Sequence, residues 1–180
     1  MTAKYEPRLF PDDAAIRHIG EGLLACALRR EEWTHEAHLA ACCWLLVERP
    51  DISPERDLPG LIRRFNESVG GVNSDSEGYH ETITQCFIRA VRVYLARVDP
   101  ALPLVEKVNG LLRSAEGRRD WPLCFYDPKT LFSREARLGW VEPDLAPLPE
   151  LAGRASASPP VNGSSRGDPR LRTRCRRPQS

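Results

Sequence analysis

No run in this chain approaches the roughly 18 consecutive apolar residues that would suggest a membrane span. The amino terminus MTAKYEPRLFPDD also lacks the apolar stretch of a secretory signal, so the expectation is a cytoplasmic protein. Alternating apolar and polar residues never persist long enough to predict a sheet. Neither GxGxxG nor GxxxxGK[ST] occurs, so no nucleotide cofactor is indicated. The six cysteines (Cys26, Cys42, Cys43, Cys86, Cys124, Cys175) show no CxxC pairing, and most fall inside apolar, helix-patterned stretches, which reads as buried free thiols in a reducing compartment. Histidine is scarce too: there are four, and two of them stand three apart in EWTHEAHLAACCWLLVE, residues 32–48.

What is present is a chain of 180 residues, 41% hydrophobic, long enough for one domain with a proper core. The boundary expected is a single helical domain over 1–151 followed by a tail over 152–180. That tail carries seven arginines and one aspartate, net +6 against +1 for the whole chain, which leaves −5 for the rest. Its Ser, Pro, Gly and Arg cannot bury enough apolar surface to offset the entropy of ordering, so the tail is expected to be disordered. A basic tail gains affinity for nucleic acid or an acidic partner by counterion release, but the simplest reading is a solvated appendage, and nucleic-acid binding is not favoured.

The periodicity predicts an all-α fold, a helical bundle of about five helices. Ile16, Ile19, Leu23 and Leu24 mark the first, from Asp13 to about Leu28; the second runs from an N-cap at Thr34 to about Glu48, where Arg49-Pro50 stops it. After a linker PDISPERDLPG, a third spans about Leu61 to Ser68, ended by Gly70-Gly71. The loop GGVNSDSEG, with Asp75 or Ser76 near the cap, leads into a fourth helix from about Tyr79 to Val98, and a fifth lies between Leu102 and Ala115. The Pro- and aromatic-rich segment that follows is expected to wrap around the bundle, anchored by Trp121, Phe125, Tyr126, Phe132 and Trp140, with at most a short helix after Ser133.

On a helix His35, His38, Cys42 and Leu45 share one face, with both imidazoles near its start; His80 occupies the same place on the fourth helix. If the two starts are neighbours, three histidines converge, enough to hold a divalent metal such as Zn²⁺ or Fe²⁺ with positions open for water or substrate. In that reading Glu81 or Glu36 takes or orients a proton from bound water, and Tyr79, Thr84 and Arg137 are candidate substrate contacts in a metal-dependent enzyme of small molecules. Glu32 with His35 and Glu77 with His80 also show the Glu-x-x-His spacing of di-iron bundles, although both glutamates precede the expected helix starts. The partial positive charge at a helix start disfavours a cation, which leaves two alternatives open. One is a metal-free polar pocket in which His35, His38 and His80 handle protons and free backbone N–H groups hold an anionic substrate; the other is a helical module that binds a small ligand or a protein partner, in which the histidines cap helices and satisfy buried hydrogen bonds. Arg137 and Asp144 are read first as anchors of the wrapping segment.

Three stretches in order, EWTHEAHLA, FNESVGGVNSDSEGYHETIT and LFSREARLGWVEPDLAPLP, resemble a family of small, uncharacterised bacterial all-helical proteins. The resemblance extends from about Gly20 to Pro149 and rests on Trp33, Thr34, His35, His38, Asn66, Gly78, Tyr79, His80, Glu81, Thr82, Arg137, Trp140, Glu142, Pro143 and Asp144. It implies no activity. In architecture alone the expected bundle is similar to histidine-ligated groups such as the DinB-like proteins, an analogy that carries no function.

Overall fold

A computed structural model describes residues 6–151; the expectations placed on the tail and on Cys175 lie outside these residues. Within them every regular element is helical and there is no strand. Five longer helices form the bundle: α1 (Asp13–Ala25), α2 (His35–Glu48), α3 (Pro54–Ser68), α4 (Glu81–Leu95) and α5 (Leu104–Arg113). Two short ones, α6 (Pro128–Leu131) and α7 (Arg134–Leu138), lie in the carboxy-terminal segment after a 3-10 turn at Trp121–Cys124. No helix among the described residues is long and apolar enough to cross a membrane.

The central helix is α2. Thr34 opens it by accepting the Ala37 N–H on its hydroxyl at 3.3 Å, and nine of its fourteen residues are buried. It packs against α1, α3, α4 and α5, which explains why it is apolar on nearly all faces. Its approach to α1 is closest where Gly20 meets the Trp44 ring: a Cβ added there would stand 2.1 Å from the indole. Ile16, Leu23, Leu39, Leu45, Phe65, Val108 and Leu111, all fully or almost fully buried, fill the main core.

The third helix is longer than its sequence pattern suggests. Pro54, Pro59 and Gly60 read as linker, yet Pro54 stands at the first helical turn, where its missing N–H costs nothing, and Pro59 is accommodated inside. Pro59 has no N–H to give the Glu55 carbonyl four residues back; Gln85 of α4 supplies the donor instead, Nε2 to Glu55 O at 3.0 Å. The fourth helix is shorter at both ends than expected and is capped by His80 itself, not by Asp75 or Ser76.

The carboxy-terminal segment does wrap over α4, but two expected anchors are replaced. Trp121 and Tyr126 are buried with Leu131, Cys86 and Ala90 in a second small core. Phe132 is 61% and Trp140 42% exposed, because the short turns of α6 and α7 direct Leu131 and Ala136 inward in their stead. Thr82 clamps this segment from α4: its hydroxyl donates to Gly139 O at 2.8 Å and accepts from Val141 N at 3.2 Å. Tyr126 adds a bond from its hydroxyl to Val141 O at 2.8 Å. Asp144 accepts from Asp127 N and Thr130 Oγ1, and Arg137 donates to the carbonyls of Gly78 and Tyr79. Both side chains thus anchor the segment, through hydrogen bonds.

Candidate functional site

The starts of α2 and α4 do lie together. His35 and His38 from α2 and Ile83, Thr84 and Phe87 from α4 line one cavity of about 370 Å³, closed on the α3 side by Leu58 and Ile62 and bordered by Trp33, Cys42 and Arg119. The wall is largely hydrocarbon and aromatic, which is the usual character of a small-molecule pocket, with a few polar groups to fix orientation.

Each histidine of this cavity has one ring nitrogen tied to a backbone carbonyl. His38 Nδ1 lies 2.7 Å from Thr34 O in its own first turn, and His35 Nε2 lies 2.8 Å from Gly117 O, in the loop after α5. A carbonyl can only accept, so these two nitrogens carry the protons. Burial holds the His38 imidazole down to about 4, with the Thr34 carbonyl pulling weakly the other way and His35 lowering it further. His35 is lowered as well, by burial first, against the Gly117 hydrogen bond and with the Arg119 cation adding to the shift. Both rings are therefore neutral near pH 7, with Nδ1 of His35 and Nε2 of His38 as their lone-pair nitrogens. Among the described residues the buried side-chain nitrogens that lack a partner are Trp33 Nε1 and His80 Nε2. The lone-pair nitrogens of His35 and His38 are not among them, and they bond to no described residue, so a solvent-sized molecule can reach them.

Trp33 braces the pair. Its ring packs at a tilt against His38 with centroids 4.0 Å apart and against Phe65 at 5.3 Å, while Phe87 meets His35 edge-on at 5.1 Å.

His80 does not join them. As the N-cap of α4 it turns back on its own helix and accepts the Ile83 N–H on Nδ1 at 3.4 Å, so its proton sits on Nε2, which is buried without a hydrogen bond. Burial pushes this ring down to about 4, helped by the nearby Arg137 cation; the Leu131 carbonyl opposes the shift without reaching bonding geometry. The packing inference from the sequence was sound, but the side chain at a cap position points along the helix start and not across to the neighbour. Among the described residues no three His, Cys, Asp or Glu side chains are grouped to hold a metal ion.

The remaining candidates are distributed elsewhere. Glu81 accepts from the Tyr79 hydroxyl at 2.9 Å and from Gln85 Nε2 at 2.9 Å, and Tyr79 is buried beneath the Arg63 guanidinium, 4.1 Å from the ring centroid. Glu36 is buried and lies 3.8 Å from an Arg119 nitrogen. Thr84 lines the cavity, with its hydroxyl donating to His80 O at 2.8 Å. Arg137 is spent on the carbonyls of Gly78 and Tyr79. These carbonyls are presented by a tight turn: Gly78 has φ +75°, and a Cβ there would strike Val72 O at 2.1 Å. Glu32 holds Arg29 and His18, and so gives no partner to His35.

Sequence reasoning missed the cavity's apolar half. Phe87 follows Ile83 and Thr84 at helical spacing and was legible as wall; Leu58 was not, because it sits in the stretch that reads as linker. Fold and site together define an all-α bundle with a histidine-walled apolar cavity between three helices. Compared with known proteins, the chain matches no family model, no curated protein and no solved structure.

Proposed function

We propose that this protein binds a small, largely apolar molecule, without a metal, in the cavity between α2, α3 and α4. The observation that carries the reading is the pair of neutral imidazoles, His35 and His38, lining one hydrocarbon-walled space of about 370 Å³ with their protons committed to backbone carbonyls. The two candidate carboxylates support binding over acid–base catalysis: neither is among the residues that line this cavity, Glu81 being engaged by Tyr79 and Gln85 and Glu36 lying beside Arg119.

Titration with toluene, followed by the indole signal of Trp33 and the ring signals of His38, tests this reading. Saturable shifts are expected, and Thr84→Phe, which adds a ring to the wall, should abolish them while leaving the helical content unchanged. The absence of saturable shifts in the unmodified protein, with toluene and with polar aromatic probes alike, would contradict it.

A further inference from the structure

We propose that the ligand of this cavity is a hydrogen-bond donor, an aromatic alcohol of the phenol class, and not a carboxylate. The inference rests on the cavity being a ligand site and assigns the chemistry that would be recognised there. The strong hydrogen-bonding groups of the wall are one-sided, the Cys42 thiol being only a weak donor. His35 spends its Nε2 proton on Gly117 O and His38 its Nδ1 proton on Thr34 O, so each offers only a lone pair. The Thr84 hydroxyl donates to His80 O and can only accept from anything in the cavity. Trp33 contributes its ring, since its N–H is buried out of reach of solvent. Arg119 is the cationic exception, and its side chain is 60% exposed at the border, beside Glu36.

A carboxylate would bring further lone pairs against these acceptors and leave water for a hydrocarbon wall, both unfavourable. A hydroxyl brings the proton the wall lacks. The proton stays on the ligand: a phenol ordinarily titrates near 10, and burial holds the His38 imidazole at about 4, so transfer to the ring is uphill. The site recognises such a molecule without ionising it. Specificity follows from the same asymmetry, because a single hydroxyl pairs one of the two acceptors, whereas a molecule of equal shape lacking it leaves both unpaired once water is displaced.

Phenol, toluene and benzoate separate the cases, titrated by calorimetry into the full chain and into His38→Leu. Phenol is expected to bind more tightly than toluene, benzoate more weakly than either, and His38→Leu to reverse the first preference by about tenfold, the worth of one hydrogen bond. In the unmodified protein the His38 Nε2 nitrogen signal should be that of an unprotonated nitrogen and should shift further on adding phenol than on adding toluene, a readout that needs no variant. Toluene binding as tightly as phenol or more so overturns the assignment of ligand class while leaving the cavity a ligand site. Benzoate binding tightest overturns it in favour of an anion held by Arg119. If none of the three binds, the cavity reading fails, and this inference with it.

Discussion

Three histidines occur at the starts of two neighbouring helices, and their roles differ with their places: His35 and His38 lie within the first turns of α2, whereas His80 is the cap of α4. His35 and His38 face a cavity; His80 closes a helix and carries a buried N–H with no acceptor. For His80 and His38 the imidazoles are held near 4, below the ordinary 6.5. The unfolded chain then binds more protons than the folded one between about pH 6.5 and 4, so stability is at its fullest above 6.5 and declines as pH falls through this window. Ring-proton titration should show both residues unchanged from pH 8 to 5.5 and moving only near 4; a midpoint at 6.5 for either would contradict the burial argument. His80→Ala should cost about 1 kcal/mol through the lost cap, with His80→Asn recovering part of it, as measured by urea unfolding. Incubation with Zn²⁺ or anaerobic Fe²⁺ followed by desalting should leave no stoichiometric metal, by plasma mass spectrometry, that depends on all three histidines. A site lost equally in His35→Ala, His38→Ala and His80→Ala would restore the triad.

At the scale of the elements, what could be read from the sequence was whatever depends on local chemistry. Thr34 as the cap of α2, its end before Pro50 and the glycine-rich close of α3 were all legible, since caps and breakers act within a turn. The first two turns of α3 were not legible, because tolerance of Pro59 depends on a donor 26 residues away, Gln85, which answers the Glu55 carbonyl. The cavity was half legible for the same reason. His35, His38 and Thr84 announce themselves as polar residues at helix starts, whereas Leu58 and Ile62 acquire meaning only when α3 is placed against α2 and α4. Close packing between α1 and α2 also makes a prediction. Gly20→Ala would drive a methyl group into the Trp44 ring and should destabilise the bundle by about 1 to 3 kcal/mol in urea unfolding. No measurable loss would mean the two helices can separate at that point.

For the whole molecule, one buried side chain joins the bundle to its carboxy-terminal segment by two hydrogen bonds. Thr82, fully buried, both donates to Gly139 and accepts from Val141. Thr82→Val removes both bonds at nearly constant shape and leaves two backbone groups unpaired, a loss of roughly 1 to 3 kcal/mol. Limited proteolysis of that variant should cut first between 139 and 151, and an unchanged digestion pattern would show that the second core alone secures the segment. The cavity is likewise assembled from distant parts of the chain, α2, α3, α4 and Arg119. The central claim is that this cavity receives a small molecule. It is tested most directly by intermolecular nuclear Overhauser contacts from a bound aromatic probe to the protein. The account predicts contacts to Ile83, Thr84 and Phe87 on α4 together with Leu58 or Ile62 on α3, and their disappearance in Thr84→Phe. Contacts confined to other surfaces, or none at saturating probe, would contradict it.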